Sequence, residues 1–542
     1  MKQLVYCFVV LVVLSLLSTS VFGQNLVVPT LKASGKYLND VIANDSVAAK
    51  AGNRTYVLQR DSVYYVNAVI RNIGWPLRLV AGTTGKYKPS VFFVLPSGLA
   101  QYPTQMFDVQ GNLYMQNIQA SSINELSPSS ISGLGQNLIL TNAQGFDIII
   151  DSCIFNQAGQ GFIRTTSAPR VVKVTNTIMA DMGYVGTFDP GNGRCVDLRT
   201  GSCDSLIVTN NTFVNSGDRI IRHYSSTAPL KYMLFDHNTI VNNYAFHGMM
   251  ALGITGNKII ITNNFFQNPF ALGNDTDVVR QAEFTDSGEL DPRNNQPRMV
   301  WIQSVPNDTT VWTLKNNYYS VTTAQQNWYT KYATAGVAGE GPMLTWRTNK
   351  KVDSVNVFKK VTTYLTKVPE TGTAFMDWYR SPSGANKTKS QATFNPTLND
   401  YNRVSFDWLE DSLNCKYPTT ASIYTAADGG KPVGALTWWN MAYTDVQKFD
   451  GAMVPTSFSL AQNYPNPFNP STTFQYSIAK SSHVVLEIFN VLGQSVTRLV
   501  DQELVPGTYK STFNASSLSS GVYLYRLTAG DYVQTLKMVL MK

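Results

Sequence analysis

LIVTNNTFV (206–214), YMLFDHNTIV (232–241) and IIITNNFF (259–266) are copies of one phrase: alternating β-formers, an Asn, one more residue and a large apolar side chain. VVKVTNTIM (171–179) and WTLKNNYY (312–319) repeat it, which aligns Asn176, Asn211, Asn238, Asn264 and Asn317 at spacings of 35, 27, 26 and 53. IIIDSCIF (148–155) fits the frame with Cys153 at the Asn position, and LYMQNIQ (113–119) is a looser copy. Short period-two strands with a turn former at a fixed offset, recurring at such spacings, predict a parallel β-helix. One short strand cannot bury its face alone, whereas stacked coils share a continuous aliphatic core and pair their strands about 4.8 Å apart. Asn suits the bend because it tolerates left-handed backbone angles and its amide can bond the Asn of the next coil. The ladder is therefore read as structural. An antiparallel sandwich would need a hairpin turn roughly every 8–12 residues, and this stretch has none. TYVLQ (55–59), LRLV (77–80), VFFV (91–94) and MFDV (106–109) read as earlier, less regular coils, and the 53-residue step marks an insertion around Asp275 to Gln296.

The chain of 542 residues has room for several domains and a sizeable core. Charged residues are 14% against 44% hydrophobic, which excludes a disordered or coiled-coil chain, since both need far more charge. Lys and Arg number 43 against 35 Asp and Glu, and the net +8 favours acidic partners over basic ones. With four histidines in all, a multi-histidine metal centre is not expected. Lys2, the apolar run from Leu4 to Leu17 and Val21-Phe22-Gly23 describe a secretory signal peptide cleaved after Gly23. That run is too short for a membrane anchor, and no later segment is long and apolar enough to span a bilayer. Cys7 leaves with the signal. Cys153, Cys195, Cys203 and Cys415 remain without metal-site spacing, and Cys195 and Cys203 are close enough to staple a local loop.

Over roughly residues 50–330 the repeats resemble the right-handed β-helix proteins of the pectate-lyase-like superfamily. That fold hosts lyases, hydrolases, esterases and non-enzymatic adhesins, so activity has to be argued from a site. The strand before each Asn strand reads FIRT (162–165), DLRT (197–200), IIRH (220–223), ALGI (251–254) and WIQS (301–304). Aligned in this way, Ile163, Leu198, Ile221, Leu252 and Ile302 face inward, and Arg164, Arg199, Arg222, Gly253 and Gln303 face outward. Three guanidiniums one coil apart repel unless something negative lies beside them. Either Asp197, Asp181, Asp204 or Asp218 neutralises the row from within, or the row awaits an anionic ligand. A uronate-containing polysaccharide is such a ligand, because Arg takes carboxylates in bidentate fashion. Arg164, Arg199, Arg222 and Gln303 are the expected substrate contacts.

NNTFVNSGDRIIRHYSS (210–226) is similar to the region of alginate-lyase and chondroitinase-B-type lyases that carries an Arg-His-Gly motif. Arg222 and His223 match its first two positions, and Tyr224 replaces the Gly. Those enzymes use a Lys on the previous coil to remove the proton from carbon five of the uronate. Here Arg199 stands near that position, and Arg is a poor base though a good carboxylate partner. The resemblance implies Arg222, Arg199 and Arg164 neutralising carboxylates while His223 or Lys231 moves protons, with Lys173 and Tyr184 as substitute bases. The paired-aspartate and Gly-His-Gly pattern of pectin hydrolases and the Arg-x-Pro-x-x-Arg pattern of pectate lyases are absent. His247-Gly248 is an isolated fragment. Glu283, Asp286, Glu289 and Asp291 form an acidic run that can hold Ca2+, supply carboxylates for acid–base work or be a solvated loop. Residues 331–452 lack the ladder and are rich in aromatic residues, including Trp346, Trp378, Tyr379, Trp408, Trp438 and Trp439. They read as late coils or loops that cover the open end of the solenoid, with sugar stacking as the other use.

After Val454-Pro455 come AQNYPNPFNPSTTFQYSI (461–478), VVLEIFNVLGQSVTRLV (484–500), VPGTY (505–509), SGVYLYRLTAG (520–530) and TLKMVLMK (535–542). Period-two alternation with Gly-centred turns predicts a small antiparallel β-sandwich. These strings closely resemble the type A C-terminal sorting domain of type IX secretion cargo, from Asn463 to Lys542. The resemblance implies transit from the periplasm across the outer membrane of a Gram-negative bacterium, followed by removal of the domain.

The expected architecture is all-β: a right-handed parallel β-helix followed by a small immunoglobulin-like antiparallel β-sandwich. The expected spans are 1–23 signal peptide, 24–105 N-terminal cap and first coils, 106–330 regular helix, 331–452 late coils and covering loops, and 453–542 sorting domain. The expected function is a secreted or cell-surface protein that binds an acidic polysaccharide and, in the lyase-like reading, cleaves it by β-elimination. The alternative is a non-catalytic glycan-binding or adhesin-type surface protein. The secretion machinery is an expected partner and nucleic acid is not.

Overall fold

The computed structural model describes residues 25–51, 54–95, 98, 103–122, 137–183, 193–199, 201–223, 228–245, 248–273, 300–301, 309–335, 357–380, 413–441, 443, 447–448, 457–480, 482–504, 507–515 and 518–541. The expected signal segment 1–23, Tyr184, Tyr224, His247, Ile302, Gln303, Trp346, Trp408 and the acidic run at 283–291 lie outside them. The chain divides between Pro418 and Thr419 into two compact units.

The first unit winds through three sheets, here A, B and C, with one strand of each per coil. Successive coils use Val171–Thr175, Ile178–Met182 and Arg194–Leu198, then Ser205–Thr209, Thr212–Ser216 and Ile221–His223, then Leu230–Asp236, Thr239–Asn243 and Met250–Ala251. Like strands pair in parallel, giving, among the described residues, ten strands each in sheets A and B and eight in sheet C. This is the parallel β-helix that the repeats predict. Inward residues stack by kind. Ile150, Val174, Val208, Phe235 and Ile261 form one column in sheet A. Phe155, Met179, Phe213, Ile240 and Phe266 form another in sheet B. All ten are at most 1% exposed. Each such burial stabilises by about 1.5–3 kcal/mol, but only once the neighbouring coil is in place.

The bend from A to B uses two residues, and both columns carry side-chain bonds between coils. The first holds a left-handed backbone: Ser152, Asn176, Asn210, His237, Asn263 and Asn316 have φ between 50° and 59°. The second, Cys153, Thr177, Asn211, Asn238, Asn264 and Asn317, is buried. Asn238 Oδ1 accepts from the Asn211 backbone N–H at 3.0 Å and from its amide at 3.1 Å, while Asn238 Nδ2 donates to Val208 O at 2.9 Å. Asn264 repeats these bonds for Asn238, and Asn317 repeats them for Asn264. The expected alignment is corrected at one member. Thr175 pairs with Thr209, so Asn176 belongs to the left-handed column and Thr177 fills the ladder position. The Thr177 hydroxyl makes the exchange workable, accepting from Cys153 N at 3.2 Å and donating to Thr175 O at 2.8 Å.

A further column stands at the bend from B to C, where Gln157, Asp181, Asn215, Asn242 and Asn268 all have φ of 52–54°. Asn215 donates to Asp181 at 2.9 Å, Asn242 to Asn215 at 3.2 Å and Asn268 to Asn242 at 2.9 Å. Its members Asn215, Asn242 and Asn268 each follow a ladder Asn by four residues, a regularity readable in the chain.

Late in the unit, strand Phe358–Lys360 extends sheet B, and the following chain lies over that sheet's outer face. Leu365 N donates to Gln267 Oε1 at 2.9 Å, Asn242 Nδ2 to Pro369 O at 2.9 Å, and Tyr417 packs 5.7 Å from Phe265. Helices Thr323–Tyr332 and Thr373–Tyr379 close an aromatic cluster of Tyr244, Trp328, Tyr329, Phe375 and Tyr379. Cys153, Cys195, Cys203 and Cys415 are free and buried, so Cys195 and Cys203 form no staple.

In the second unit two antiparallel four-stranded sheets share one core. Sheet D holds Gln447–Lys448, Gly507–Asn514, Ser471–Ile478 and Ser459–Leu460, and sheet E holds Ser495–Leu504, Ser482–Phe489, Gly521–Ala529 and Tyr532–Leu540. The Asn463–Phe468 opening ties these strands together. Asn463 N donates to the Tyr525 hydroxyl and Asn463 Nδ2 to Thr472 Oγ1, both at 2.9 Å. Asn466 Oδ1 accepts from Val539 N, and Phe468 exchanges backbone bonds with Val539 and Met541. No helix among the described residues is long and apolar enough to cross a membrane.

The two columns of the A-to-B bend separate two substitutions. Asn238→Ala orphans the buried Asn211 N–H and removes the amide bond to Val208 O, and is expected to lower denaturant stability by about 2–4 kcal/mol. Asn263→Gly keeps a residue at ease with positive φ, loses the part-buried side-chain bonds to Asp236 and from Asn316, and is expected to cost about half as much or less. Equal effects in the two unfolding curves would refute the assignment.

Candidate functional site

The charged side chains of sheet C gather on its outer face. Register places Arg71, Asp108, Leu140, Arg164, Asp197, Arg222, Ala251 and Trp301 in one column. The expected row Arg164–Arg199–Arg222 is therefore corrected: Asp197 holds the middle place and Arg199 lies two residues beyond it. The same two-residue shift puts Ala251 and Trp301 where Gly253 and Gln303 were expected. Like charges about 4.8 Å apart would repel, and alternation of sign removes the conflict.

Asp197 is fully buried and takes Arg222 in bidentate fashion, Nε to Oδ1 at 2.7 Å and Nη2 to Oδ2 at 2.8 Å. Arg164 Nε stands 3.7 Å from Asp197 Oδ2 and Arg194 Nη1 3.9 Å away. Arg194 Nε also lies 2.9 Å from Asp218, another fully buried carboxylate, which Arg219 approaches at 3.4 Å. Burial pushes the Arg194 guanidinium down to about 10. Arg164 is lowered too, first by burial and then by Arg199 and Arg222, against the pull of Asp197. Its Nη1 also bonds Gln160 Oε1. Arg199 is half-buried, and its guanidinium has no hydrogen bond or ion pair among the described residues. Of the candidate neutralising carboxylates, Asp197 and Asp218 serve this cluster, while Asp181 receives Asn215 and Asp204 pairs with Lys231.

Of the four residues implied as catalytic, Arg199 and Arg222 both lie close enough to Arg164 to act on its charge, and His223 and Lys231 lie apart from them. Arg222 lies on the outer face of sheet C. His223 shares the register level of Leu198 and is fully buried, with Nδ1–H donating to Leu252 O at 2.6 Å. Burial holds its pKa below the ordinary histidine value, so the ring is neutral. Lys231 belongs to sheet A, where its ammonium sits 2.5 Å from Asp204 with both side chains more than half exposed. Lys173 is half-buried in sheet A as well. Among the described residues no group of three His, Cys, Asp or Glu side chains is placed to hold a metal ion. Sequence reasoning missed Arg194 and Arg219. Their signal was the shared offset of three that links Arg194 to Asp197 and Arg219 to Arg222.

Residues 462–541 match the secretion system C-terminal sorting domain family. Comparison with curated proteins and with solved structures gave no match for the chain. The sorting domain makes this a secreted or cell-surface protein whose second unit engages the type IX secretion machinery.

Two expectations follow from these burials. Asp197→Ala leaves buried guanidiniums facing one another and should destabilise by about 3–5 kcal/mol, whereas Asp204→Ala, at an exposed pair, should change stability by less than about 1 kcal/mol. Denaturant titration of the two variants checks both values. His223 has a folded-state pKa below its unfolded one, so below about pH 6.5 the unfolded chain binds a proton that the folded chain refuses. Stability should therefore fall as pH drops through that value, and His223→Gln should lose less melting temperature than wild type between about pH 7.5 and about pH 5.

Proposed function

We propose that the first unit binds an acidic extracellular polysaccharide on the outer face of sheet C, through Arg199 and Arg164, with Arg222 held behind them by Asp197. The observation that carries this reading is the half-buried Arg199 guanidinium, which has no partner among the described residues and lies near Arg164. A carboxylate or sulfate ester placed between the two would complete a charge-assisted pair, the interaction for which the planar guanidinium is best suited. Binding is favoured over cleavage because neither proton carrier implied by the lyase resemblance stands ready. His223 is buried away from that face, and Lys231 is engaged by Asp204 on another sheet. Gln303 remains a proposed contact and Ca2+ a proposed ligand of the acidic run.

Affinity electrophoresis of the full chain in alginate, polygalacturonate or chondroitin sulfate, with dextran as the neutral control, tests this. At least one acidic gel should retard the wild type, less so as salt rises. Arg199→Ala should weaken that retardation by about tenfold or more. Retardation equal in wild type and variant, or none in any acidic gel, would remove the proposal. Ultraviolet-absorbing unsaturated product that disappears in His223→Gln would replace binding with β-elimination.

A further inference from the structure

The second unit presents two outer faces of opposite character. On sheet D, Thr473, Gln475 and Ser477 oppose Thr512, Lys510 and Thr508, a wholly polar set. Sheet E differs. Val484, Leu486, Ile488, Tyr525, Leu527 and Met538 fill the core, so period-two alternation turns Phe489, Leu524, Val522 and Val539 outward. Phe489 opposes Leu524 and Val522 opposes Val539. The turn after Phe489 adds Val491 and Leu492, 67% and 79% exposed. One end of sheet E is thus a continuous apolar surface. Its border is cationic: the Arg526 guanidinium lies 4.9 Å from the Phe489 ring centroid, and Lys537 opposes Leu524. Glu487, the neighbouring anion, is taken up by Ser495 and Arg498.

The Asn463–Phe468 opening divides between exposed and buried residues, Tyr464 being 83% exposed. Asn463 and Phe468 are each 2% exposed and spent on the fold. Whatever reads the folded domain reads its surface. We infer that the apolar end of sheet E, edged by Arg526 and Lys537, docks on an acceptor protein of the secretion machinery that offers an apolar seat with an acidic rim. A second copy of this chain fits worse, because a twofold pairing of this face would bring the same cations together. An acidic rim satisfies them and steers the encounter.

The test is export of the full chain from a Gram-negative host with a type IX system, comparing wild type, Val491→Glu with Leu492→Glu, Arg526→Glu, and the sheet D control Gln475→Glu with Thr512→Glu. The fraction reaching the surface or medium is measured, with melting temperature and light scattering on each purified chain. The sheet E variants should export about tenfold less and accumulate in the periplasm at unchanged melting temperature, while the sheet D control exports normally. Should the tip pair lower the melting temperature, Arg526→Glu, an exposed charge swap, decides on the same readouts. Export of the sheet E variants at the wild-type level overturns the inference. So does an equal loss in the sheet D control, or a wild-type dimer that the tip pair converts to monomer without loss of export.

Discussion

A primary amide buried in a protein must find partners for two N–H donors and a carbonyl, and each one left unmet costs about as much as a mutation can remove. The solenoid meets that demand by translation. Asn211, Asn238, Asn264 and Asn317 each satisfy the bend of the preceding coil, because a copy of the same amide lies one step away. This condition fixes more than the amides. Once they are in register, every side chain of one coil faces its counterpart in the next, so aliphatic columns pack at the core and the Asn215–Asn242–Asn268 column closes the other bend. A slip of one residue would break the bonds of the ladder and turn the aliphatic columns outward.

Translation that rewards amides penalises charges. An amide carries its own donor and acceptor, so identical amides stack head to tail, whereas identical guanidiniums repel. Sheet C therefore cannot repeat its arginines as the bends repeat their asparagines, and the column runs Arg164, Asp197, Arg222. The bidentate grip of Asp197 on Arg222 follows from that alternation, and it commits Arg222 to the fold. Arg199, off the column by two residues, escapes the commitment. Its place outside the register leaves its guanidinium without a partner among the described residues.

The same contrast explains what could be read in the chain. The parallel coils, the Cys153 position and the C-terminal sandwich were legible because apolar periodicity and turn chemistry have one low-energy reading. Asn176 was misplaced because the bend holds two adjacent polar residues, and TNT fits the phrase in either frame until Thr177 is seen to donate and accept in place of an amide. On sheet C the Arg-Thr pairs 164–165 and 199–200 invited alignment by likeness. Short strands such as Ile221–His223 and Met250–Ala251 hold too few apolar positions to fix a frame, so electrostatics decided it. Arg194 opens its strand and Arg219 stands just before the next, both outside the aligned phrases, and only the three-residue offset betrays them.

The C-terminal unit shows why a sorting signal can be plain in sequence and yet say nothing of where it is read. Asn463 joins the hydroxyls of Tyr525 and Thr472, and Asn466 and Phe468 hold the last strand at Val539 and Met541. Replacing any of them loosens the ends of both sheets before it alters any surface. Their presence in the chain reports that the sandwich forms. The recognition it licenses has to come from groups that the fold leaves outside. Sheet D offers hydroxyls that pair across its strands, Thr473 with Thr512 and Ser477 with Thr508. Sheet E offers apolar area, and removing that area from water is the largest non-directional term available to a docking partner.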